Sequence, residues 1–310
     1  MTAEMLERSL TGWVIRYQSG FFEVETGEGL FTCQLRGKLK RGPKTSDLLT
    51  IGDRVEIATQ RDGSGAIESI LPRKSALVRT APTSRGDYRQ VLLANADQVV
   101  LVFACRDPEP HVRMLDRFLV ICEKQELKPL IVINKVDLLH LNEVRAVFDR
   151  YLDIGYPVIY TSVRAHLGIE DLREKLTGKI SALAGPSGVG KTSLLNALQP
   201  ALGLAVREVS KLTARGQHTT VMRQLFKLEG GGYLADMPGI RALALWDTSP
   251  EELDGYFPEF RDKVEHCQFN DCTHRNETGC AVLSAIASGE IHPERYESYL
   301  RLRYHETGGY

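Results

Sequence analysis

The order of two short motifs constrains this chain more than any other feature. Gly185, Pro186, Ser187, Gly188, Val189, Gly190, Lys191 and Thr192 match the phosphate-loop pattern G-x-x-x-x-G-K-[ST] without a mismatch, and Ser193 follows. The apolar run Ile180 to Ala184 precedes the loop and a helical stretch, Lys191 to Leu198, follows it, which is the strand–turn–helix setting the pattern requires. Its glycines let backbone N–H groups converge on phosphate oxygens at a helix N-terminus; Lys191 neutralises the β- and γ-phosphates, and Thr192 offers a hydroxyl to Mg²⁺. Asn134, Lys135, Val136 and Asp137 stand well upstream, directly after the strand-like run Pro129 to Ile133. An Asp in the fourth position of N-K-x-D accepts from both N1–H and the exocyclic amine of guanine, a pair that adenine does not offer. Lys135 lies along base and ribose, and Asn134 ties this loop to the phosphate loop. The base reader normally follows the phosphate loop, so the domain is circularly permuted, which a compact domain with neighbouring termini allows.

The remaining nucleotide elements fall in the permuted order. Thr161, Ser162 and Val163 follow the strand-like run Pro157 to Thr161 and read as a companion base-contact loop, with Val163 where Ala is usual. Beyond the phosphate loop come Arg215, Gly216, Gln217, His218, Thr219 and Thr220, one of whose threonines is expected to cap Mg²⁺ and the γ-phosphate; the sequence does not choose between Thr219 and Thr220. Asp236, Met237, Pro238 and Gly239 give D-x-x-G, with Asp236 reaching Mg²⁺ through water and the Gly239 N–H sensing the γ-phosphate. Ile240 follows, where Ras-like enzymes carry the glutamine that positions water. His218 is then the candidate catalytic side chain, beside Lys191 and Thr192; the alternative is a solvent-facing loop histidine. Because the cut falls after D-x-x-G, the state of the γ-phosphate is expected to be passed to the C-terminal tail.

That tail contains Cys267, Cys272, His274 and Cys280, spaced C-x4-C-x-H-x5-C, a soft tetrahedral set suited to one structural Zn²⁺, with His266 a lower-ranked competitor. Ser249, Pro250, Glu251 and Glu252 read as a capping box opening a helix. Cys33, Cys105 and Cys122 sit in apolar contexts and read as buried small hydrophobes.

Upstream of the permuted domain, Thr11 to Ile70 alternates short apolar runs with Gly-containing turns, giving five strands: an OB-type or SH3-like barrel. Arg36, Lys38, Lys40, Arg41 and Lys44 make a basic loop, either a solvated surface or a set of RNA phosphate contacts. Arg79 to Arg89 reads as an interdomain linker. The resulting division is 1–78, an OB-fold RNA-binding barrel; 79–247, a permuted α/β GTPase domain of mostly parallel strands; and 248–310, a helical zinc-binding domain. Lys and Arg total 39 against 40 Asp and Glu, which excludes a polycation and leaves RNA binding to local patches. No apolar run approaches the roughly 20 residues of a membrane span, so no membrane partner is expected. Six cysteines are too few for a disulfide framework, which fits the cytoplasm, and Tyr296 to Arg303 shows no coiled-coil seam, which favours a monomer.

The barrel, G-P-S-G-V-G-K-T, R-G-Q-H-T-T, D-M-P-G and C-Q-F-N-D-C-T-H-R-N-E-T-G-C together resemble the bacterial RsgA (YjeQ) family over essentially the whole chain. The resemblance implies an OB-fold, a permuted GTPase domain using GTP/GDP and Mg²⁺, and a zinc domain. It further implies a late maturation factor that binds 16S rRNA of the 30S subunit near its decoding region, is stimulated by that subunit and leaves after hydrolysis. His218 matches the histidine of the family's G-[KR]-H-T-T element, with Gln217 where a cation is usual. A different reading is a nucleotide-gated RNA-binding scaffold or checkpoint in which GTP turnover is incidental.

Overall fold

The computed structural model describes residues 8–40, 46–60, 63–83, 86–203, 223–236 and 248–304. His218, Thr219, Thr220, Gly239 and Ile240 lie outside them, as do Arg41 and Lys44 of the basic loop.

Strands β1 (Arg8–Gln18), β2 (Phe21–Thr26), β3 (Gly29–Leu35), β4 (Arg54–Thr59) and β5 (Ser64–Ile70) follow the five apolar runs of the sequence. They are ordered β1-β2-β3-β5-β4 and closed by β1–β4 pairing, the OB arrangement. Alternate side chains point inward, so Val14, Phe22, Val24, Cys33, Val55, Ile57 and Ile67 form a sealed core. A register shift in β1 between Val14 and Arg16 bends the strand: Arg8 to Trp13 pair with β4, while Arg16 and Tyr17 pair outside the barrel. Of the basic loop, Arg36 and Lys38 both reach Glu68 of β5, so the barrel supplies an acid that the loop's own sequence lacks.

The stretch read as a linker is instead a hairpin of β6 (Ala76–Thr83) and β7 (Gly86–Ala94). Its polar residues hide the pattern, because among the residues whose burial is described only Leu77, Val91, Leu93 and Ala94 are buried.

The α/β unit runs β8 (Gln98–Ala104), α1 (Val112–Lys124), β9 (Lys128–Asn134), α2 (Leu141–Phe148), α3 (Arg150–Asp153), β10 (Val158–Tyr160), α4 (Ile169–Leu176), β11 (Ile180–Ala184), α5 (Lys191–Leu198), β12 (Arg223–Lys227) and β13 (Tyr233–Asp236). β10, β9, β8, β11 and β13 are parallel in that order, and β12 joins antiparallel. β8 is buried at all seven positions because helices cover both faces: Leu101 and Phe103 meet Leu115 and Leu119 on one side, Val100 and Val102 meet Leu194 and Leu195 on the other. The outer end of β1 pairs with β12, Arg16 opposite Gln224 and Tyr17 opposite Arg223, so barrel and α/β sheet form one eleven-stranded sheet. Glu25 of β2 reinforces the seam, reaching Lys227 of β12 and accepting from the Tyr233 hydroxyl of β13 at 2.6 Å.

The C-terminal module begins with a 3-10 turn, Pro250–Tyr256, followed by α6 (Pro258–Val264), α7 (Ala281–Ser288) and α8 (Pro293–Tyr304). The expected capping box does not form: Ser249 makes no side-chain cap bond, and a 3-10 turn replaces the α-helix. Phe257, Phe260, Tyr299 and Val282 form the module's small core, completed by Val120 from α1. Arg295 of α8, wholly buried, reaches Asp116 of α1 and Glu259 of α6 at 2.7 Å each, and the Tyr151 and Ser298 hydroxyls donate to the same Asp116. Among the described residues no helix is long and apolar enough to cross a membrane.

Candidate functional site

The carboxyl ends of β11, β9 and β10 bring three loops together, as expected at the strand ends of an open α/β sheet. After β11 the phosphate loop turns tightly through Gly185, at φ +144°, where a Cβ would stand 2.0 Å from the Val102 carbonyl oxygen. Gly190 caps α5 at φ +96°, where a Cβ would meet the Asn134 amide nitrogen at 2.4 Å. Glycine at both places is a steric requirement. Lys191 opens α5 with its ammonium folded over the loop, donating to the carbonyls of Gly185 at 2.8 Å and Pro186 at 2.7 Å. A positive charge is thus fixed at the helix N-terminus, where the macrodipole also favours an anion. Thr192 beside it is buried, Val189 belongs to the core, and Ser187 and Gly188 are exposed at the loop's rim.

After β9, Asn134 is buried and joins all three loops. Its amide donates to the Val189 carbonyl at 2.9 Å, and its Oδ1 accepts from the Thr161 hydroxyl at 3.1 Å. Lys135 takes a left-handed conformation, φ +63°, and Val136 opens a 3-10 turn that carries Asp137. Ser162 donates to Asp137 Oδ1 at 2.5 Å while its oxygen accepts from Ala165 N–H at 3.0 Å, so the carboxylate is tied to the T-S-V loop. Val163 packs against the core near Ile169 and Leu172. Phosphate loop, N-K-V-D and T-S-V therefore converge, with Asn134 as the bond between them.

Asp236 ends β13, which lies beside β11. Its Oδ1 is buried with no hydrogen-bond partner among the described residues. Burial pushes its carboxyl up from the ordinary range, against the pull of the Lys191 charge. An orphaned buried carboxylate oxygen is the kind of acceptor that a hydrated cation satisfies, so Thr192 and Asp236 fit Mg²⁺.

In the C-terminal module, one ligand atom each from Cys267, Cys272, His274 and Cys280 lies within 4.8 Å of the others. His274 Nδ1 is 3.6 Å from Cys267 Sγ and 3.4 Å from Cys280 Sγ. The other ring nitrogen, Nε2, stands 3.4 Å from Asp254, a carboxylate placed to orient the imidazole and absent from the sequence reading. His266 is exposed and outside the cluster. Three sulfurs and one imidazole nitrogen at this spacing could bind zinc.

A model of the RsgA GTPase domain matches residues 70–246, and a model of the RsgA N-terminal domain matches residues 11–67. The chain belongs to the RsgA family. As a member of this family of GTPases it is a GTP hydrolase. Relatives named small ribosomal subunit biogenesis GTPase RsgA include one from Gemmatimonas aurantiaca, 45% identical over 298 residues that cover 95% of this chain and 97% of the relative. Another, from Thermotoga maritima, is 43% identical over 303 residues, covering 96% and 97%. Among solved structures, YjeQ from Thermotoga maritima superposes with a TM-score of 0.78 at 40% identity, over 96% of this chain and 98% of that one. YloQ, described as a circularly permuted GTPase, gives 0.72 at 30% identity over 98% and 96%. This chain shares that permuted order: β9 and its N-K-V-D precede β11 and its phosphate loop.

Proposed function

We propose that this chain acts in small ribosomal subunit biogenesis, binding the 30S subunit through its 16S rRNA, hydrolysing GTP under stimulation by that subunit and then dissociating. The observation that carries the nucleotide part is the three-loop junction at Asn134, which sets a fixed Asp137 carboxylate and the Lys191 charge in one site. The small-subunit part is supported by the name that relatives of more than 40% identity share.

In this reading Asp137 accepts from the two donors on the guanine edge, Lys135 flanks base and ribose, and Ser162 and Val163 close the base pocket. Backbone N–H groups from Ser187 to Ser193 and the Lys191 ammonium hold the phosphates and stabilise charge on the transferred group. Mg²⁺, when bound, adds charge neutralisation at the β- and γ-phosphates. Thr192, Asp236 and one of Thr219 and Thr220 are its protein partners. Gly239 senses the γ-phosphate, and His218 assists the attacking water in place of the glutamine that Ile240 displaces. The four Cys and His side chains leave no coordination position for water, so their Zn²⁺ is structural. The barrel and zinc module make the RNA contacts, and the protein works as a monomer in the cytoplasm.

Sedimentation with purified 30S subunits tests the reading. Protein carrying a non-hydrolysable GTP analogue should pellet with 30S at least about tenfold more than protein carrying GDP. Equal pelleting in the two states, or none in either, would refute it.

A further inference from the structure

The nucleotide site has a brace that lies in none of its motifs. Between β8 and α1, Cys105 to Pro108 runs beside both the base-reading and the phosphate loops. The Cys105 N–H donates to the Asn134 carbonyl at 3.0 Å, and the Cys105 thiol donates to the Lys135 carbonyl at 3.0 Å. Lys135 returns its ammonium to the Asp107 carbonyl, and a Cβ on Gly188 would lie 3.6 Å from Pro108 Cδ. The segment therefore bonds the first two residues of N-K-V-D and lies alongside the middle of the phosphate loop.

The thiol falls where the backbone most needs support. Lys135 is left-handed at φ +63°, a region that non-glycine residues enter at a cost, and that turn swings Asp137 towards Ser162. Cys105 is itself buried in the core, and its bond to the Lys135 carbonyl is part-buried. Burial, aided by the Asp137 charge, pushes the thiol above its ordinary range, and the proton needed for donation stays on sulfur.

We propose that Cys105 is a specificity-determining positioning residue of the guanine site: its S–H···O=C bond fixes the left-handed turn at Lys135 and thereby the place where Asp137 meets the base. The inference rests on Asp137 being the guanine reader. If the thiol were only filler, valine would serve as well; if it acts as a donor, serine should replace it and valine should not.

Equilibrium binding of GDP and IDP to the full chain separates these outcomes, because IDP lacks the exocyclic amine that Asp137 accepts. The native protein should favour GDP by at least about tenfold, the worth of one hydrogen bond to a charged acceptor. Cys105→Val and Cys105→Ala should each shrink that ratio about three- to tenfold, while Cys105→Ser stays within about twofold of native. Valine is larger than cysteine and alanine smaller, so a loss shared by both variants is due neither to crowding nor to a cavity. A ratio preserved in the valine and alanine variants, or lost equally in the serine variant, overturns the role of Cys105 alone. A native ratio near one overturns the Asp137 assignment and this inference with it.

Discussion

Around the phosphate loop, the chain is held by a parallel sheet buried on both faces and by short neutral bonds between loops, Asn134 to Val189 and Thr161 to Asn134. The C-terminal module has little of this. Residues 248–304 build a core around three aromatic rings, and what docks them on α1 is a buried cation, Arg295, between Asp116 and Glu259. A cluster of thiols and one imidazole draws the rest of the module in. The nucleotide end is stable because apolar surface is buried around it, whereas the module depends on a few polar contacts that fail together when one partner is lost. On this account the module should be open to alteration while the nucleotide site keeps its geometry.

Removing the metal should separate the two regions most strongly. Structural zinc contributes about 10–16 kcal/mol of apparent binding energy in small domains. Chelation should therefore open residues 248–304 to limited proteolysis while GDP affinity stays within about twofold. Parallel loss of GDP affinity would show that the regions are not independent. Arg295→Met comes next: it leaves Asp116 and Glu259 buried without their cation, and about 3–5 kcal/mol of stability should disappear from denaturant unfolding of the module. A loss below about 1 kcal/mol would mean that the buried network does not dock the module.

On the nucleotide side, Asp137→Asn should lower GDP affinity at least about tenfold and raise XDP affinity, with no change in the module's protease resistance. Unchanged preference for GDP would remove Asp137 from its role. The smallest effect belongs to the seam between barrel and sheet. Glu25→Gln weakens the contact with the exposed Lys227 and should cost less than about 1 kcal/mol in thermal unfolding. A loss above the roughly 3–5 kcal/mol expected of Arg295→Met would make the seam, and not the Arg295 network, the principal joint of the molecule.

The limits of Ile180–Ala184 and Lys191–Leu198 agree with the sequence expectation, because Gly178, Gly185, Gly190 and Pro200 punctuate these apolar runs. Loops built from local motifs could be read for the same reason. Contacts between distant segments could not: nothing near Cys105 announces the Lys135 carbonyl, nothing near His274 announces Asp254, and Glu68 is remote from the cations it meets. The hairpin at 76–94 was missed because its polar residues concealed the few apolar ones that anchor it. The Ser249 cap failed for a related reason: the pattern was present, but the chain turned in 3-10 geometry before it could close.

Phosphate release from GTP and from ATP, with and without purified 30S subunits, tests the central claim most directly. The account predicts slow release from GTP alone that rises by orders of magnitude with 30S, and no comparable release from ATP. Equal use of ATP, or GTP release that 30S leaves unchanged while the protein still binds it, would contradict it.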